Sequence, residues 1–317
     1  MQVYILRRLL LMIPTIFILG TSLFFLLRVL PGDLAVGLLT SEESSATAEE
    51  IEELREYLGL NDHILVQYGR WLKTIGRGDL GYSPLFDSSV VSILWSKLGI
   101  TIELAIIAVI ISLVWAIPLG VISALRRGSW IDQAIRVVTA AGISLPNFWI
   151  ALMVLLILVA FFRWSPPVQY VHFLDNPIEN LKMLFLPALV IGFRSAAVIT
   201  RMTRSMMLEV IGQDYVRTAR AKGLSSRTVT LRHALPNASL PILTLAALLL
   251  AALVDGAVII EVIFNLPGLG QLIRESITRR DYELIQGIVL VLALFMMVWI
   301  LITDLLYAWL DPRIRYS

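Results

Sequence analysis

Residues 217–236 read RTARAKGLSSRTVTLRHALP, a stretch in which Arg217, Arg220, Lys222, Arg227 and Arg232 meet no acidic residue. It interrupts a chain of 317 residues that is 58% hydrophobic and 16% charged, with a mean hydropathy of +0.81. Soluble domains carry about 25% charged and roughly 45–50% apolar residues, so the insert lies in a membrane protein. How many spans flank it, and on which side it emerges, decides the architecture.

Outward from the insert, uncharged runs cover Leu9–Leu27, Leu104–Leu125, Val137–Phe162, Ala234–Val254 and Leu284–Thr303. Each approaches the ~20 residues that cross a ~30 Å hydrocarbon core as a helix. A weaker run, 183–193, continues across Arg194 to Thr200. Six spans is the economical count. The N-terminus imitates a signal peptide, but its apolar core is too long and no small-x-small cleavage site follows, so it is expected to be an uncleaved first helix. With the N-terminus inside, Arg7, Arg8, Arg126, Arg127, Arg136, the basic insert and the tail DPRIRYS all fall in the cytoplasm. The segment SEESSATAEEIEELREYLGL at 41–60, with seven Glu and one Arg, falls outside. Short inside loops dense in Lys and Arg satisfy the positive-inside rule. The expected fold is an all-α, six-helix membrane protein, N-in and C-in. Residues 1–30 form the first transmembrane helix and 31–97 an external helical segment. A core of five transmembrane helices follows at 98–310, with its cytoplasmic loop at 207–236, then a tail at 311–317.

Within the external segment, Thr47 and Glu50 form a capping box ahead of a helix over 48–58, GLND stops it, and HILVQYGRWLKTI makes a second short amphipathic helix. Pro14, Pro118, Pro146 and Pro187 fall inside spans, where neighbouring groups can re-satisfy freed carbonyls. They are expected to be packing kinks.

Chemistry finds no foothold. A P-loop needs Gly immediately before its Lys, yet the four lysines follow Leu72, Ser96, Leu181 and Ala221. Asp79 of GRGDLGYS belongs in a polar turn rather than in a membrane helix. His63, His172 and His233 are scattered and cysteine is absent, so no metal site and no catalytic residue is expected. A net charge of +2 argues against nucleic acid as a partner. Ionisable side chains at membrane depth cost about 2.5–3.5 kcal/mol and usually face protein or water. The candidates for a pathway or gate are Glu103, Asn147, Arg194, Asp255, Glu261 and Asn265; Glu103 and Asp304 also suit interfacial solvation. VDGAVIIEVIFNLPGLG at 254–270 suggests irregular backbone lining an aqueous cavity.

At the start of the opening stretch, Val216 just before it, Ala219 and Gly223 recur at helical spacing and give a small-residue face flanked by Arg217 and Arg220. Gly223 suits a helix C′ position, and Ser225 or Ser226 can cap a second helix. The result is a helix–turn–helix knob whose small face would let another protein approach closely.

These residues resemble the "EAA" loop of bacterial ABC-importer permeases, Glu-Ala-Ala, three residues, Gly, nine residues, Ile-x-Leu-Pro. Gly223, Leu235, Pro236 and Ala219 match; Arg217, Thr218 and His233 replace Glu, Ala and Ile. That form is similar to the dipeptide, oligopeptide and nickel permease family, where DYVRTARAKGL is typical. RRLLLMIPT, LRVLPGD, GRGDLGYS, TIELAIIAVIISLVWAIPLGV, FNLPGLG and DLLYAWLDPRIR extend the resemblance along the chain. It implies a type I ABC importer permease fold in the bacterial inner membrane. The ATPase-coupling site would comprise Tyr215, Arg217, Thr218, Ala219, Arg220, Lys222, Gly223, Leu235 and Pro236. The implied partners are a related but distinct second permease, two cytoplasmic ABC ATPases carrying ATP and Mg, an external substrate-binding protein, and membrane lipid. This chain itself binds no cofactor. Short peptides are the default substrate, with nickel, glutathione, opines and oligosaccharides as alternatives. A different class, an ion-coupled secondary transporter or channel using Arg194, Asp255 and Glu261, would work without any ATPase.

Overall fold

The computed structural model describes residues 2–29, 34–39, 47–167 and 169–310. Among the described residues the regular structure is helical apart from one short hairpin. They form two compact units, one drawn from residues up to Ile100 and from Pro267–Leu301, the other from Thr101–Leu266 and from Ile302 onward.

In the first unit, α1 (Gln2–Val29) leaves Leu10, Ile13, Phe17 and Ile18 more than half exposed, a surface suited to lipid. Near its C-terminal end Phe24 is fully buried against the rings of Tyr68 and Trp71, at 5.2 and 5.4 Å. Gly20 makes this approach possible, because a Cβ there would meet Trp71 at 2.9 Å. Beyond α2 (Leu34–Leu39), α3 (Ala48–Tyr57) opens with the expected capping box: Thr47 Oγ1 accepts from the Glu50 amide, and Glu50 Oε2 accepts from the Thr47 amide. It stops at Gly59 (φ +65), whose amide reaches Glu56 O while the Leu60 amide reaches Arg55 O. The second amphipathic helix is α4 (Ile64–Ile75), and Asp79 accepts from the Gly81 amide in a turn, as anticipated. The hairpin of β1 (Tyr82–Ser83) and β2 (Ser88–Ser89) was not foreshadowed by alternation, being only two residues a side. It leads directly into α5 (Val90–Leu125), so the expected boundary at 97/98 falls inside a helix. Val90, Ile93 and Leu94 bury themselves on Leu269 and Leu272 of α12 (Leu269–Arg279) and on Leu284 and Ile288 of α13 (Tyr282–Leu310).

Asp281, fully buried just before α13, accepts from the Leu284 amide at 3.0 Å and from the Ser83 hydroxyl. Burial raises its carboxyl above the usual range, although Ser83 and the amides of Leu284 and Leu85 pull the other way. A raised acid contributes stability that is complete below its unfolded pKa and is lost as pH rises through the folded value. Asp281→Asn is therefore expected to flatten the fall in thermal stability that begins as pH rises past 3.8, the ordinary value for aspartate. Asp281→Ala, which removes the cap as well as the titrating carboxyl, should cost about 1–2 kcal/mol at low pH and less as pH rises. Thermal unfolding across pH in detergent checks both; an unchanged fall with rising pH in Asp281→Asn would refute the assignment.

The second unit is organised on α8 (Pro177–Ile211), which packs on α6 (Trp130–Ser144), α7 (Asn147–Phe162) and α11 (Leu235–Ile263). Gly192 lets α5 approach: a Cβ would meet Ala108 O at 2.8 Å, and the Ser112 hydroxyl donates to Gly192 O at 2.8 Å. Ala116, Ile199, Met207, Ala234, Ala238 and Ile242 form the core at the 207–236 end.

The expected third span, Val137–Phe162, is not one rod. α6 and α7 meet at 107°, so the chain holds five helices able to cross a membrane among the described residues, or six if the bent pair counts as one. Pro146 has no N–H and pushes the preceding residue out of the helical region; Leu145 is extended at φ −84, ψ 135. The proline breaks the span rather than kinking it.

A second difference concerns 254–270. α11 continues without irregularity through positions 255 and 261 to Ile263, and only the short link before α12 is non-helical. Asn265 ends the helix in the left-handed region (φ +54), with the Asn265 amide on Val262 O and the Leu266 amide on Glu261 O. Asparagine tolerates that conformation better than most residues, which accounts for its presence without a gate.

Candidate functional site

The basic insert forms an elbow. Gln213 (ψ 151) starts α9 (Asp214–Ala221), and Asp214 lies in its first turn, where the helix dipole favours an anion. The helix ends in a Schellman motif: the Leu224 amide bonds Ala219 O at 3.4 Å and the Gly223 amide bonds Arg220 O at 2.9 Å, with Gly223 at φ +78. Ser225 caps the next turn, α10 (Ser226–Thr228), by accepting from the Thr228 amide at 3.3 Å. Val229–Ala234 then widens into a π-turn, in which the Leu235 amide reaches back to Thr230 O before α11 begins. Pro236 lacks the N–H that a regular α-turn would use, so the ladder shifts by one residue there.

The small-residue face faces inward, contrary to the sequence expectation. Val216 and Ala219 are 0% and 7% exposed and pack on Val229 and Val210. Two short helices joined by a glycine turn bury their smallest side chains against each other before a partner can claim them. What a partner can reach is the opposite side: Tyr215 is 44% exposed, and Arg217, Thr218, Arg220, Lys222, Gly223 and Pro236 are exposed, while Leu235 is half-buried. Arg217 reaches Asp214 at 3.4 Å, a surface pair of little energetic weight. The face is cationic with an aromatic at its edge.

Among the pathway candidates, Asn147 and Arg194 line one cavity of about 320 Å³ with Phe148, Val198, Leu249 and Gly256. Arg194, midway along α8, donates through Nη1 to Ile143 O at 3.0 Å. Glu103 is elsewhere: Tyr170 donates to its Oε2 at 2.7 Å, and the buried Asn180 donates to the Tyr170 oxygen at 3.2 Å. Burial, and then the Glu103 carboxylate, push the Tyr170 phenol well above its ordinary range. Glu261 is fully buried, Asn265 is exposed at the end of α11, and neither borders the cavity. Asp304 is half-buried near the end of α13. The Asp255 side chain lies outside the described residues.

A buried polar cluster escaped sequence reasoning. Asp132, 2% exposed, binds Arg204 through two parallel bonds of 2.8 and 2.9 Å, and accepts from the Ser123 hydroxyl at 2.6 Å and the Gly128 amide at 3.0 Å. It ties α5, α6 and α8 together. The one sequence signal was Ser129 three residues ahead, which caps α6 by accepting from the Asp132 amide; nothing local marks Arg204.

Residues 116–316 match the family described as binding-protein-dependent transport system inner membrane component, and residues 1–105 match that family's N-terminal part. The chain belongs to this family. The chain is also similar to the dipeptide transport system permease protein DppB of Alkalihalophilus pseudofirmus and the oligopeptide transport system permease protein AppB of Bacillus subtilis. Each is 37% identical to this chain, with 100% of both chains covered. Among solved structures, a chain of the MetNI methionine ABC transporter in inward facing conformations superimposes with a TM-score of 0.54 at 16% identity, covering 70% of this chain and 97% of that one. The family thus has a type I ABC permease fold. Its members are translocation subunits of multi-pass membrane complexes, and ATP hydrolysis belongs to a separate subunit.

Proposed function

We propose that the chain forms half of the translocation pathway of an ATP-driven importer for short peptides in the bacterial inner membrane. The observation that carries this reading is end-to-end similarity to permeases named for dipeptide and oligopeptide transport. The other half of the pathway is a related but distinct permease. Two cytoplasmic ABC ATPases, holding ATP and Mg, supply the energy, and an external binding protein delivers the peptide. The N- and C-termini lie inside, which puts the elbow on the ATPase side. Docking uses its outer face, with Tyr215, Arg217, Thr218, Arg220 and Lys222 in contact and Gly223 setting the bend. Ala219 and Leu235 act from beneath, by holding the elbow together. Nickel, glutathione, opines and oligosaccharides are the alternative cargoes within the same family. Reconstitution tests the reading: with second permease, ATPases and binding protein, vesicles should accumulate dipeptide only with ATP, and this chain alone should move none under any ion gradient. Gradient-driven uptake by the chain alone would replace the reading with an ion-coupled carrier.

A further inference from the structure

The break at Leu145–Pro146 prepares the Arg194 cavity. In a continuous helix the Asn147 amide would close on Ile143 O; here Asn147 opens α7, and that carbonyl takes the Arg194 guanidinium instead. A cation at the carbonyl end of α6 is favoured by the helix dipole. Arginine carries five N–H donors in a planar fork, so one bond to Ile143 leaves others for a ligand. The same break puts the amino end of α7, which no side chain caps, beside the guanidinium, since Asn147 and Phe148 also line the cavity. Half-helix amino ends at membrane depth suit anionic groups, and the arginine fork matches a carboxylate. The Asn147 amide oxygen is buried and unpartnered, an acceptor suited to a peptide N–H. Apart from Ser195, the rest of the wall, including Val198, Leu249, Leu253 and Ile259, is apolar. A volume of about 320 Å³ suits one or two residues of a peptide, not a large chelate.

We propose that this cavity holds the C-terminal carboxylate of the transported peptide against Arg194 and the amino end of α7, with the last side chain on the apolar wall. The proposal rests on the peptide reading above. It requires that the permease itself, and not only the binding protein, distinguish a free acid from its amide. The test uses the full complex in vesicles with one binding protein throughout, comparing uptake of alanyl-alanine with alanyl-alanine amide. The wild-type acid-to-amide ratio should exceed that of Arg194→Gln by about tenfold or more, the weight of a charge-assisted hydrogen bond. Arg194→Lys should fall between them. An equal ratio in wild type and Arg194→Gln overturns the site while leaving peptide import intact. A loss in Arg194→Gln that depends on anionic lipid and not on the peptide terminus also overturns it, because the arginine then serves a headgroup. Failure of the wild-type complex to take up either peptide, with uptake of another solute, defeats the peptide reading itself.

Discussion

Gly223→Pro is expected to abolish ATP-coupled uptake and ATPase co-purification while the membrane helices still insert. Proline is confined to φ near −65°, and Gly223 stands at +78. The substitution also removes the amide that bonds Arg220 O and disfavours the near-helical conformation of Lys222 before it. No atom lies within 4 Å of a Cβ built at Gly223, so the effect is one of backbone and not of collision. The series should therefore be graded by tolerance of positive φ. Gly223→Ala should cost about 1–2 kcal/mol locally and slow uptake. Gly223→Asn should retain most of it, since Asn265 already holds φ +54 in this chain. Uptake assays on vesicles, paired with a check of membrane insertion, read the series. Normal uptake by the proline variant would remove the elbow from the mechanism.

The outer face of the elbow carries the second large effect. Tyrosine and arginine dominate interface hot spots, and loss of one costs about 2 kcal/mol or more, roughly thirtyfold in affinity. Tyr215→Ala is expected to weaken ATPase docking by about that factor, and Arg220→Glu to weaken it further, with a deficit that grows at low salt as like charges meet unscreened. Ala219→Trp should also abolish docking, for another reason: the indole cannot fit between Val216 and Val229, so the elbow itself opens. Limited proteolysis separates the two cases, with Tyr215→Ala as resistant as wild type and Ala219→Trp cut in the elbow. Docking indifferent to both Tyr215→Ala and Arg220→Glu would place the ATPase contact elsewhere.

Much of this was legible where the chemistry is local. Thr47 with Glu50, Gly59, Gly223 and Ser225 each act through backbone groups a few residues away, the polar side chains by capping and the glycines by taking positive φ. The apolar runs marked the membrane helices because burial in lipid needs only composition and length. Direction is another matter: Val137–Phe162 carries no signal of its 107° turn except Pro146. The elbow's small face was ambiguous, since Val216 and Ala219 suit a partner or a neighbouring turn equally, and the neighbouring turn is tethered close by. The 72-residue separation of Asp132 and Arg204 lies beyond any local pattern. Asn147 stood out as a polar group within a span and Arg194 for its cost at membrane depth, and only folding brought them to one wall.

Val216, Ala219 and Val229 give the elbow a miniature interior of its own. A hinge lined with open solvent would flex under load and dissipate whatever was pressed against it. This one is packed: if the ATPase docks as proposed, a push delivered at Tyr215 would meet filled space on the far side and pass by way of the widened turn into α11, so that α9 and the root of that helix would swing as a single lever.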